Sequence, residues 1–221
     1  MSQSSLPGPL VVTGFEPFGP YSYNPSQQLV ETLSEDADLY RWQGRVLPVS
    51  ASALPAHLDE IWELRPRAIV ALGLADCLAI RLERVAVNLA DFRIPDNSDE
   101  QLQGASILAD GPDAYFSTLP MEELRNELLE HGIPAVLSNT AGTYLCNMLL
   151  YLLLHQAQQE ASFMPAGFVH IPQTPAMVAQ RLLENPSQPS PSMSLETQRT
   201  ALKVILKQVE DFVLSEESTH D

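Results

Sequence analysis

One pentapeptide, Ala68-Ile69-Val70-Ala71-Leu72, constrains the fold more than any other segment. It is an unbroken apolar run too short for a helix, as expected for a strand covered on both faces. Comparable short runs recur at Pro9–Thr13 (ending at Gly14), Arg45–Val49, Arg84–Asn88, Ala135–Leu137 and Phe168–Ile171. Helical signals fill the intervals. Asn24-Pro25 reads as an N-cap with proline in the first turn, opening a helix through Leu29, Val30 and Leu33. Ala51–Leu64 forms a second helix, and Met121, Leu124 and Leu128 mark a third that Gly132 stops. Tyr144–Gln158 is strongly apolar, and Leu202, Ile205, Val209 and Phe212 define a last amphipathic helix. Residues from Asp91 to about Pro120 read as irregular, and Asn185–Ser192 as a Pro/Ser-rich surface connection. Strands alternating with helices predict an α/β domain with a mostly parallel sheet and helices on both faces. No repeat or boundary divides it, so residues 1–221 are read as a single domain, frayed at 1–8 and 215–221.

The net charge of −16, from 28 acidic and 12 basic side chains, argues against nucleic acid and anionic membranes as partners. Two cysteines make no disulfide framework, Met1–Pro9 lacks a basic-then-apolar leader, and no apolar run approaches a membrane span. The protein is expected to be soluble and cytoplasmic, with reduced thiols.

In sheets of this kind, sites form beyond the carboxyl ends of strands. The segment Ser138-Asn139-Thr140-Ala141-Gly142-Thr143-Tyr144-Leu145-Cys146-Asn147 leads from such an end through a small-residue turn into a helix. The positive end of a helix dipole favours a thiolate, and the turn amides are placed to hold an oxyanion. Such a cysteine is either a nucleophile or an inert buried thiol, and the setting alone does not decide. Cys77 also follows a strand, but the adjacent Asp76 carboxylate disfavours its thiolate, so it reads as structural.

Of the five histidines, His155 shares a helix with Cys146 but lies roughly 13 Å farther along at 1.5 Å per residue. His57 and His131 fall on other helices and His220 in the tail, which leaves His170, at the end of a strand, as the candidate base. Glu83 precedes Val85 and Val87 at period two, sharing a face with apolar residues. It is either an exposed strand-edge glutamate or a buried carboxylate paired with an imidazolium. Pattern alone stops at a candidate thiol hydrolase.

These segments resemble the pyroglutamyl peptidase I, or pyrrolidone-carboxylate peptidase, family of cysteine peptidases. The resemblance rests on Gly14–Gly19 with Asn24-Pro25-Ser26, Glu83–Asn88 with Asp91–Asn97, Ile133–Asn147, Gly167–Pro172 and Pro191–Glu196, in the family's order. It implies an α/β/α sandwich with an open, twisted, mostly parallel sheet. Cys146 would be the nucleophile, His170 the general base and acid, and Glu83 the residue orienting the histidine. Phe15 and Phe18 would line the lactam pocket, with Ile94, Tyr144 and Leu145 as further wall and Asn24 assisting recognition. Arg93 and the Cys146 amide would face the oxyanion. The implied partners are peptides with N-terminal pyroglutamate and other copies of the chain, as a homotetramer; no cofactor or metal is implied.

Family members commonly carry a Gly-Gly-Arg-type turn and a Thr-Pro pair before the glutamate. Here Gly73-Leu74-Ala75-Asp76-Cys77-Leu78-Ala79-Ile80-Arg81-Leu82 stands in that place, one residue shorter. A catalytically impaired member that only binds lactams is therefore the alternative. A nucleoside- or phosphate-binding enzyme is disfavoured, because no Gly-x-Gly-x-x-Gly or Gly-Lys-Ser/Thr motif is present.

Overall fold

The apolar run at 68–72 lies inside a six-stranded sheet. The computed structural model describes residues 8–35, 39, 41–160, 163–187 and 189–219. In chain order the elements are β1 (Leu10–Phe15), α1 (Pro25–Glu31), β2 (Trp42–Leu47), α2 (Leu54–Glu63), β3 (Ala68–Leu74), β4 (Ile80–Glu83), β5 (Val85–Val87), β6 (Ala114–Phe116), α3 (Met121–Glu130), β7 (Ala135–Ser138), α4 (Leu145–Ala157), β8 (Ala166–Ile171), α5 (Pro175–Glu184) and α6 (Leu195–Thr219).

The main sheet runs β2-β1-β3-β8-β4-β7, and only its β4/β8 pairing is antiparallel. β4 and β7 therefore run opposite to the other four strands. Helices α1, α3 and α6 pack on one face around Leu29, Leu124, Ile205 and Val209. Helices α2 and α4 cover the other, around Leu58, Ile61, Leu149 and Leu153. With both faces covered, every residue of β1 and β8 is buried, which is why these strands read as continuous apolar runs.

Local chemistry accounts for the starts of α1 and α5. The Asn24 side chain accepts from the Ser26 N–H at 3.0 Å and Pro25 occupies the first turn of α1, as expected. Thr174 caps α5 in the same way before Pro175, a signal the sequence reading passed over.

Four expectations are corrected. The segment 73–82 is not all turn: Ile80–Glu83 is β4, whose Ile80 and Leu82 enter the core. The strand expected at Arg84–Asn88 is only Val85–Val87, paired with β6 inside the stretch expected to be irregular. The chain breaks at Arg84, whose N–H and carbonyl bond Ser138 and Ser117 in different directions. At the ends, Gly8 packs where a Cβ would lie 1.7 Å from the Arg65 carbonyl oxygen, and α6 stays helical to Thr219. A two-pronged Arg67–Glu217 pair, at 2.8 and 2.6 Å, ties that last turn to the sheet. Residues 1–7 and 220–221, also expected to fray, lie outside the described residues.

Two features of this architecture position the site. The β3–β4 turn passes over the end of β8, where the Ala75 N–H donates to the Ile171 carbonyl at 3.0 Å. At the start of α4, the buried Asn147 accepts from the Val87 N–H at 2.9 Å and donates to the Val87 and Leu89 carbonyls at 2.9 and 3.1 Å. One carboxamide thus clamps the first turn of α4 onto β5.

Candidate active site

Alternation along β8 sends Val169 and Ile171 into one core, and Phe168 and His170 toward α4. Alternation along β4 does the same with Arg81 and Glu83. In the antiparallel register Arg81 lies opposite His170 and Glu83 opposite Phe168, so Glu83 is a diagonal neighbour of the imidazole. The His170 Nδ1–H donates to Glu83 Oε1 at 2.8 Å. Glu83 is fully buried and His170 nearly so. The second carboxylate oxygen has no hydrogen-bond partner among the described residues, and the Arg81 guanidinium stands 4.0 Å from the first. Of the two readings that the sequence leaves open for Glu83, the structure has the buried carboxylate beside the histidine; Val85 and Val87, whose period suggested burial, lie in a separate sheet beyond Arg84.

With Nδ1 held by Glu83, Nε2 is the nitrogen that meets Cys146. Burial works against a charged ring here. The Cys146 thiolate beside it, a hydrogen bond to that sulfur and the Glu83 carboxylate outweigh burial and push the His170 pKa up to about 9. The ring is therefore protonated at neutral pH. Because the folded value exceeds the ordinary 6.5, the stability from this proton is complete below about pH 6.5 and is lost as pH rises through about 9.

Cys146 is the second residue of α4 and half-buried. Tyr144, the N-cap, makes no side-chain bond to the first turn, so the amides there remain donors. Gly142, at φ +78°, bends the preceding loop, and Thr143 and Asp91 exchange two hydrogen bonds that fix it, at 3.0 and 2.8 Å. Beneath the sulfur lies Gly73, where a Cβ would stand 3.0 Å from Cys146 Sγ and 2.6 Å from the Phe168 ring.

The site opens into a cavity of about 870 Å³ that reaches Cys146 and His170. Phe15, Phe18, Asn24, Ile94, Tyr144 and Leu145 all line it, as does Arg93. Phe18 and Tyr144 stand 6.4 Å apart, and Phe92 packs edge-on behind Tyr144 at 4.7 Å. Asn24 caps α1 and donates to the Glu16 carbonyl at 3.0 Å, so most of its hydrogen bonding holds the loop itself. Arg93 is exposed on the cavity rim. Val49, Tyr21, Ala75 and Gln173 also line the cavity and were not among the expected site residues.

The other candidates lie elsewhere. Cys77 is buried and its pKa is pushed up to about 11, chiefly by burial, with Arg81 opposing and Glu83 and Asp76 adding to the rise. The neighbouring carboxylate invoked from the sequence is the smaller cause. His155 bonds the Tyr115 hydroxyl at 2.7 Å, and the Asp96 carboxylate accepts three backbone N–H groups. No cluster of His, Cys, Asp and Glu suited to a metal occurs among the described residues.

A buried carboxylate, a protonated imidazole and a thiol at a helix start, beside an aromatic cleft, define a thiol-dependent hydrolase on an α/β fold. A family model described as pyroglutamyl peptidase matches residues 9–211. A pyrrolidone-carboxylate peptidase of Klebsiella pneumoniae is 40% identical over 218 residues, covering 96% of this chain and 99% of that protein. One of Pyrococcus furiosus is 38% identical over 204 residues, covering 90% and 96%. The solved pyrrolidone carboxyl peptidase of Thermococcus litoralis superposes with a TM-score of 0.87 at 38% identity, covering 94% of this chain and 96% of its own. The chain belongs to the pyroglutamyl peptidase family.

Gly73→Ala tests the seat of the thiol. Its methyl group must displace either the Phe168 ring or Cys146 Sγ, so alkylation of Cys146 by iodoacetamide should slow about tenfold or more in a chain that still folds. Unchanged alkylation would mean that Gly73 does not position the sulfur.

Proposed function

We propose that this chain is a cysteine peptidase that removes N-terminal pyroglutamyl residues from peptides, with Cys146, His170 and Glu83 as its reacting and orienting groups. The observation that carries the reading is the Glu83–His170 bond at 2.8 Å, which turns the other ring nitrogen to Cys146 at the mouth of an aromatic pocket. The Cys146 thiolate attacks the carbonyl joining pyroglutamate to the next residue. A C–S bond forms, and the carbonyl electron pair moves to an oxyanion that takes hydrogen bonds from the Cys146 N–H and Arg93. Collapse breaks the C–N bond, and His170 gives its proton to the leaving amine. Water then attacks the thioester with His170 as base, releasing pyroglutamate and restoring the thiolate.

Phe15, Phe18, Ile94, Tyr144 and Leu145 give the lactam ring apolar contact. The same wall rejects an ordinary N-terminal residue, because its ammonium would be buried without a counter-charge. The Asn24 carboxamide keeps a second hydrogen for the lactam. The impaired, lactam-binding alternative has no observation in its favour: the shortened turn leads into a well-formed β4 and delivers Glu83 to the histidine. A homo-oligomer and a cytoplasmic location complete the proposal. Supporting these are the exposed apolar Leu78 and Leu183, and the finding that no helix among the described residues is long and apolar enough to cross a membrane.

Cys146→Ser should reduce hydrolysis of a pyroglutamyl arylamide by on the order of 10³-fold or more. Cys77→Ser should keep most activity, and a prolyl arylamide should not be cleaved. Loss of activity in Cys77→Ser alone would overturn the assignment.

Glu83→Gln tests the orienting role through pH. With the His170 ring protonated up to about 9, loss of the proton needed by the leaving amine governs the alkaline limb of the rate profile. Glu83 raises that pKa, so replacing it should lower kcat and move the alkaline limb to lower pH. Superimposable profiles would place the orienting group elsewhere.

A further inference from the structure

The cavity at about 870 Å³ has the scale of a site for a drug-sized ligand, well beyond one five-membered ring. Past His170 it continues between the β3–β4 turn and α5, lined by Ala75, Asp76, Gln173, Arg181 and Asn185. Asp76 and Arg181 face each other at 3.8 Å and bound this extension. The leaving amine takes its proton from His170, so the peptide attached to that amine departs on this side.

Gln173 stands three residues beyond His170 in this extension and is only 3% exposed. Its backbone is held firmly. The Gln173 carbonyl accepts the Met193 N–H at 2.9 Å, the preceding Pro172 carbonyl accepts from Gln198 Nε2 at 3.0 Å, and the following Thr174 caps α5. Its side chain contrasts with this: among the described residues the carboxamide has no hydrogen-bond partner, and Oε1 is enclosed. A buried amide with its hydrogen-bonding capacity unmet is costly unless a ligand meets it. Asn24 and Asn185, the other carboxamides on the cavity wall, have their oxygens committed to Ser26 and to the Ser187 N–H.

We infer that Gln173 is a specificity residue for the leaving side, its carboxamide pairing with the first peptide group beyond the scissile bond. A carboxamide offers one acceptor and two donors, the complement of a peptide N–H and C=O. Its terminal torsion is soft, so the group turns toward an incoming peptide without disturbing its fixed backbone. Hydrolysis of longer peptides is then favoured over that of arylamides, which have no peptide group there.

The inference rests on the pyroglutamyl peptidase reading, and the test separates the two. kcat/KM is measured on pyroglutamyl-alanyl-alanine, on its analogue with an ester in place of the second peptide group, and on a pyroglutamyl arylamide. In the wild type the ester analogue should be cleaved about five- to tenfold less efficiently than the tripeptide. In Gln173→Met the ratio of tripeptide to arylamide kcat/KM should fall by a similar factor, and the ester should cause no further loss. A wild type indifferent to the ester, or an unchanged ratio in Gln173→Met, overturns the inference while leaving the peptidase reading intact. If Gln173→Met does not fold, the wild-type ester comparison decides by itself. A wild type that cleaves none of the three overturns both.

Discussion

The hydrogen-bonded pair of Glu83 and His170 is the constraint on which the rest of the site depends. A carboxylate with no exposure to solvent is tolerable only when a cation is close and well oriented. The imidazolium supplies that cation, and the pairing in turn fixes which ring nitrogen faces the sulfur. The pair needs a strand running against β8, because only the antiparallel β4 sets Glu83 diagonally across from His170. A short β3–β4 turn that reverses the chain over the end of β8 is how this sequence achieves it.

Everything on the thiol side is arranged to bring one sulfur to that ring. Asn147 holds the first turn of α4 to β5, the Thr143–Asp91 bonds hold the loop before it, and Gly73 leaves room below. These are backbone and small-residue constraints, so the cysteine's position is set by rigid elements rather than by a flexible loop. The aromatic pocket is built likewise: the Asn24 cap and the Ser26 hydroxyl, which accepts from the Phe15 N–H at 3.0 Å, fold the 14–26 loop so that Phe15 and Phe18 reach the cleft.

What could be read from the sequence follows from how local each signal is. β3, the Asn24-Pro25 helix start, the Gly132 stop and the apolar α4 are encoded within a few residues, and all lie where expected. β4 and β6 are strands of four and three residues whose pairing partners are distant in the chain, so no local pattern announces them. The α5 cap at Thr174-Pro175 was legible but unread. Cys146 and His170 stood out by placement, and family resemblance named their roles and that of Glu83. Glu83 is instructive because its burial is decided by β8, across the sheet, and not by the period-two neighbours that suggested it. Gln173 could not be found from the sequence, since the backbone around it is held by Met193 and Gln198, some twenty residues farther along the chain.

The central claim is that a buried carboxylate and a thiolate together keep the imidazole between them charged. Titration of the His170 ring by NMR in the wild type and in Cys146→Ser measures this directly. The ring should titrate near 9 in the wild type and markedly lower in Cys146→Ser, because the serine removes the thiolate charge and the hydrogen bond that hold the proton. A ring that titrates at or below the ordinary 6.5 in both proteins would contradict the account.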